Sequence, residues 1–162
     1  MFKVATILLS ASLFSFSALA EDSVIRLSSQ HSVSKTADKF ITTIQEKGFN
    51  VFARVDHKAN AKKVGMELRP TQVVIFGNPK VGTKLMQCNQ EVAIDLPQKA
   101  LIYEDEQGKT WIAYNNPMYL KERHSMKGCD QVLAKINSVL NNLASQAAKQ
   151  PSSQVTNYVK FK

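Results

Sequence analysis

Several things are missing from this 162-residue chain, and each absence removes a class of function. After the first twenty residues no apolar run approaches the length of a membrane span, so the mature chain is expected to be soluble, with no membrane span. Cysteine occurs only twice and never as C-x-x-C, which argues against thioredoxin-like redox chemistry. Neither H-x-x-x-H nor H-E-x-x-H occurs, and isolated histidines supply too few ligands for a metal site, so no metal is expected. The two familiar phosphate-cradling patterns, G-x-x-x-x-G-K-S/T and G-x-G-x-x-G, are absent. Basic residues are dispersed, with only Lys62 and Lys63 adjacent, and a nucleic-acid partner is not expected. There are no internal repeats and no blocks of like charge.

What is present begins with an export signature. Lys3 supplies a positive start, Val4 to Phe16 an apolar run, and Ala18-Leu19-Ala20 a small-x-small cleavage box. Residues 1–20 therefore read as a signal peptide, and the mature protein is expected in the periplasm or outside the cell. Removing Lys3 lowers the formal charge from +8 to +7, a balance compatible with acidic ligands, anionic surfaces or mere solubility. Residues 21–150 are long enough for one α/β domain with a core, and 151–162 form a polar tail. An even cysteine count in an exported chain favours a Cys88–Cys129 disulfide, with two reduced thiols, or a metal or reactive-thiol role, as alternatives.

The pattern along the chain alternates strands and helices. Val24–Ser28 alternates as a first strand. Ala37, Phe40, Ile41 and Ile44 then mark one face of a helix that starts at Ser32 or Ser34 and ends at Gly48. Val51, Ala53 and Val55 face one way along the next strand, with Phe52, Arg54 and Asp56 the other. A short helix closed by Gly65 follows. Val73–Phe76 reads as a strand buried on both faces. Ile94–Pro97 is expected to be extended, because the residue before a proline avoids the α region. Ala100–Tyr103 and Thr110–Tyr114 form a hairpin around Gly108. Asn116 and Pro117 start a short helix, and Asp130 is expected to cap a long final one carrying Leu133, Ile136 and Leu140. The implied fold is a two-layer α/β sandwich. It has a mixed sheet of about five strands with helices packed on it, and C-terminal hairpin strands followed by a long helix.

The stretch Arg69–Met86 organises the candidate site. Gly77-Asn78-Pro79 stops the central strand, and Thr83 is the expected cap of a helix carrying Leu85 and Met86. A strand, a loop with Lys80 and a helix start place N–H groups, a cation and a hydroxyl together, which suits an anion or a carbonyl. Plain chain reversal is the bland alternative. His57, at the end of the preceding strand, is expected to join this rim through a parallel crossover that brings both strand ends to one side of the sheet. A general base or a backbone-bonded strand end are its two readings. His124, beside Arg123 near the end of a short helix, is a second candidate imidazole, with a cation favoured at a helix C-terminus as its structural reading. The ligand-binding set is therefore His57, Asn78, Lys80, Thr83 and His124, with no named cofactor.

Phe52–His57, Phe76–Thr83, Ile94–Pro97 and Arg123-His124 resemble, in order and spacing, the domain-of-unknown-function family 302. The likeness covers roughly residues 33–145 and rests on the Phe-Gly-Asn-Pro-Lys-x-Gly-Thr run together with the Asp-His ending. It implies a two-layer α/β domain, dimers among relatives, and no settled activity. One departure is Gln98, where relatives often carry Leu-Pro-Leu-Lys; the cysteine pair lies outside the shared pattern.

Three functional readings follow. The first is an exported module that binds a small anionic or carbonyl ligand without turnover. The second is an enzyme with His57 as acid/base and Lys80 as an electrostatic clamp. The third is an interaction protein whose homodimer surface is its function.

Overall fold

The computed structural model describes residues 23–149, so the expected signal peptide and polar tail lie outside the described residues. Five strands and five α-helices follow one another along them. They are β1 (Val24–Ser29), α1 (Val33–Glu46), β2 (Asn50–Asp56), α2 (His57–Lys63), β3 (Thr71–Gly77), α3 (Pro79–Cys88), β4 (Gln98–Glu104), β5 (Thr110–Asn115), α4 (Pro117–Arg123) and α5 (Asp130–Ala148). A 3-10 turn, Gln90–Asp95, sits between α3 and β4.

The sheet order is β1-β5-β4-β3-β2, and every neighbouring pair is antiparallel. The expected mixed sheet is thereby corrected. Helix length explains the difference. A seven-residue strand extends about 23 Å, whereas the seven residues of α2 rise only about 10 Å. α2 therefore turns a corner and cannot carry the chain back along β2. The fourteen residues of α1 rise about 21 Å, which is enough, and α1 is the element that carries the chain between the two edge strands β1 and β2.

α1 forms where its stripe requires. Ser32 caps it by accepting from the Lys35 N–H, and Val33, Ala37, Phe40 and Ile44 are buried along one side. Gly48, at φ +75, closes it, and the Phe49 N–H returns to the Ile44 carbonyl at 3.0 Å. α1 and α5 pack together over one face of the sheet. Beneath them Val74, Phe76, Ile102 and Ile112 are fully buried, and Phe40 meets Phe76 edge-to-face at 5.1 Å between centroids.

β3 is buried on this face only. Gln72, Val74 and Phe76 are buried while Val73 and Ile75 are half-buried, so its apolar run does not mark a strand covered on both sides. Two expected caps also move. α3 starts at Pro79 with Asn78 as its cap, which leaves Thr83 inside the helix; Pro in the first turn and an Asn side chain before it are the better start. α5 starts with Cys129 in the cap position and no side-chain cap bond, and the Asp130 carboxylate bonds Lys121 instead. Of the expected extended stretch Ile94–Pro97, Ile94 and Asp95 belong to the 3-10 turn, and Leu96, before a cis peptide to Pro97, is extended.

Candidate functional site

β3 ends at Gly77, and there the chain leaves the sheet and begins α3. The Asn78 side chain accepts from the Lys80 N–H at 3.0 Å and donates to the Gly48 carbonyl at 3.3 Å, tying the start of α3 to the end of α1. α3 then runs beside α5 and leaves a cavity of about 480 Å³. Val81, Leu85 and Met86 of α3 form one wall, and Val132, Ile136 and Leu140 of α5 form another. Leu96 and Pro97 close a third side, and Phe49 and Phe52 complete the lining.

Phe52 reaches this place through a β-bulge. Val51 pairs with Phe76 and Ala53 with Ile75, so two steps on β2 oppose one on β3 and Phe52 is the extra residue. The expected alternation of β2 breaks there, which puts Val51 and Arg54 opposite Phe76 and Val74. Phe52 remains 54% exposed at the cavity margin.

The polar part of the lining is one-sided in charge. Lys80 and Lys84 lie four apart on α3, hence on one helix face, and Lys135 comes from α5. Among the described residues no aspartate or glutamate lines the cavity. Gln98 also lines it, and its side-chain nitrogen is shielded from solvent without a hydrogen-bond partner. Asn78, Lys80 and Thr83 of the sequence-derived set are thus gathered around one cavity.

The two histidines are not. Asp56 pairs with Gln72 and Asn50 with Gly77, so Asp56-His57 lies at the opposite end of β3 from Gly77, about 17 Å away over five strand steps. The expectation that both strand ends share one side is corrected by the antiparallel pairing. His57 is the exposed first residue of α2. Asp56 caps that helix, with Oδ1 accepting from the Ala59 N–H at 2.9 Å, and its Oδ2 accepts from the Gln72 amide at 3.2 Å. Gln72 in turn accepts from Arg54, whose guanidinium pairs with Asp38 at 2.6 Å. This network joins β2, β3 and α1.

His124 is buried at the C-terminal cap of α4. Its Nε2 lies 2.5 Å from Asp95 Oδ2, and their side chains are 7% and 11% exposed. Arg123 reaches the other Asp95 oxygen at 3.3 Å, and the His124 carbonyl accepts from the Asn89 side chain at 2.7 Å. Cys88 is joined to Cys129 by a disulfide with Cα atoms 6.4 Å apart. His124 and the disulfide therefore hold the α3–Asp95 segment, one wall of the cavity, against α4 and the start of α5. The Asp95–His124 pairing was not visible in the sequence, because 29 residues separate its partners and no local pattern links them.

Comparison with known proteins agrees with this fold. The family model described as Domain of unknown function DUF302 matches residues 25–143. A solved structure, the uncharacterized conserved protein DUF302 from Bacillus stearothermophilus, superposes with a TM-score of 0.72 at 17% identity. It covers 78% of this chain and 99% of that one, a likeness of fold. Two curated relatives are 43% identical over 108 residues, 67% of this chain. They are the fluoride-specific ion channel FluC 1 of Brucella suis biovar 1 (strain 1330), covered over 42% of its length, and FluC 2 of Brucella melitensis biotype 1, covered over 40%. The chain thus spans about two fifths of these relatives. Among the described residues no helix is long and apolar enough to cross a membrane.

Proposed function

The chain belongs to the DUF302 family, and from that premise we propose that it is an exported module that binds a small molecule in the α3–α5 cavity without turning it over. The cavity carries this reading. Its volume falls within the range of small-ligand sites, and it has an apolar lining with a few polar groups at its margin. The acid/base alternative pairing His57 with Lys80 loses its geometric ground, since antiparallel strands hold the two at opposite ends of β3. Nor does the lining suit a bare fluoride ion, which would shed its hydration against leucine, valine and phenylalanine. The names of the Brucella relatives are therefore not carried into the cavity. Native mass spectrometry of the full chain recovered from the periplasm tests the proposal. A small-molecule adduct is expected on the protein and is lost on Val139→Trp, which fills the cavity from its α5 wall. Bare protein from the periplasm, or an adduct indifferent to the variant, overturns it.

A second reading, a homodimer, is favoured by the sheet face opposite α1 and α5. Val73, Ile75, Leu101, Tyr103 and Trp111 are half-buried there, an apolar band on adjacent strands. A Leu101→Lys variant is expected to shift the sedimenting mass from two chains to one. A wild-type protein that sediments as one chain at all concentrations removes this reading.

A further inference from the structure

We infer that the cavity takes a single-chain amphiphile with an anionic head, a carboxylate at the end of an alkyl chain. This rests on the binding-module reading and adds the chemistry of the ligand to it. The apolar walls carry few directional groups. Leu85, Met86, Leu96, Ile136 and Leu140 offer shape and dispersion, and the unbranched Met86 adapts to a flexible chain. At about 480 Å³ the cavity lies in the lower half of the usual range, which suits one chain better than two.

The polar groups decide the head. Lys80, Lys84 and Lys135 contribute three ammonium groups from two facing helices, and no carboxylate in the lining neutralises them. All three are exposed residues at the cavity margin, where lysine commonly lays its stem beside apolar surface. The Asn78 side chain is already committed on both atoms. The three cations are all donors, so a head that only accepts can use each of them. A cationic head meets three like charges. A neutral alcohol gains the burial of its chain and little from the lysines.

Titration calorimetry of the purified, disulfide-intact protein tests this with three probes of equal chain length below micelle-forming concentrations: decanoate, decanol and decyltrimethylammonium. Decanoate is expected to bind about tenfold tighter than decanol, a modest contribution from each of three exposed lysines. Decyltrimethylammonium is expected to bind most weakly. Each methylene added to the carboxylate should tighten binding about fourfold until the cavity is full. Replacing Lys80, Lys84 and Lys135 together by glutamine should bring decanoate down to the affinity that decanol shows for the same variant. The three are exposed, so the fold is expected to survive. Equal affinities for decanoate and decanol in the unmodified protein, or a preference that outlasts the triple replacement, overturn the anionic head and leave the cavity reading standing. Failure of all three probes to bind overturns the amphiphile, and the native mass spectrum then decides the cavity reading by itself.

Discussion

Asp105 organises the β4–β5 turn with both of its oxygens. Oδ1 accepts from the Gln107 and Lys109 N–H groups at 3.0 and 2.9 Å, and Oδ2 takes the Trp111 indole N–H at 2.6 Å. The Trp111 bond, followed by smaller backbone and Lys109 contributions and opposed by some desolvation, holds the Asp105 pKa below its ordinary 3.8. The folded state thus favours the charged form. Its contribution is complete above the ordinary carboxylate range and disappears as the pH falls through the lowered value. Trp111 is the single tryptophan, with the Lys109 ammonium 4.2 Å from its ring centroid, so its fluorescence reports the event. An acid transition with a midpoint below 3.8 is expected, and Asp105→Asn should remove it. A midpoint at or above 3.8 contradicts the assignment. Polar roles of this kind were unevenly legible in the sequence. Asn116 before Pro117 announced its cap, because caps act over two or three residues. His57 and His124 looked alike, because their surroundings are set by strand direction and by partners far away in the chain.

At the scale of elements, the segment from Pro79 to Asp95 has only Leu85 and Val92 buried and is held at its far end by two clamps, the disulfide and the Asp95–His124–Arg123 cluster. The bridge closes a loop of 41 residues in sequence separation. In the chain-entropy picture this stabilises the fold by about 4 kcal/mol. Replacing Cys88 and Cys129 together by serine should lower the unfolding free energy in urea by that order. It should also speed amide exchange in α3 and the 3-10 turn far more than in β3 and β4, the only remaining clamp being electrostatic. Equal acceleration in the sheet would show that the bridge acts through the unfolded state alone. Elements with a complete local pattern were readable: the α1 stripe from Val33 to Ile44, the hairpin around Gly108, the apolar side of α5. The start of α3 was not. Lys80, Val81 and Gly82 look like loop residues until Asn78 and Pro79 are recognised as a helix start.

At the scale of the molecule, two layers, five strands and a final long helix followed from the order of elements, and strand direction did not. It depended on whether α2 could span a strand, a length argument that the pattern of apolar residues does not contain. The cavity was half legible for the same reason. Gly77 to Met86 does line it, but its second wall, α5, arrives from more than forty residues further on, and Phe52 arrives through a bulge. The placement of β1 has a mechanical consequence. The described chain begins at Ser23, held by Asn116 at one end of the strand, and finishes at Lys149, whose carbonyl meets His31 beyond the other end. Pulled by these two ends, β1 is drawn lengthwise along β5. Its six register pairs share the load at the same moment instead of opening one after another. A tether at each end would strain this domain in shear, the direction in which a strand ladder resists most.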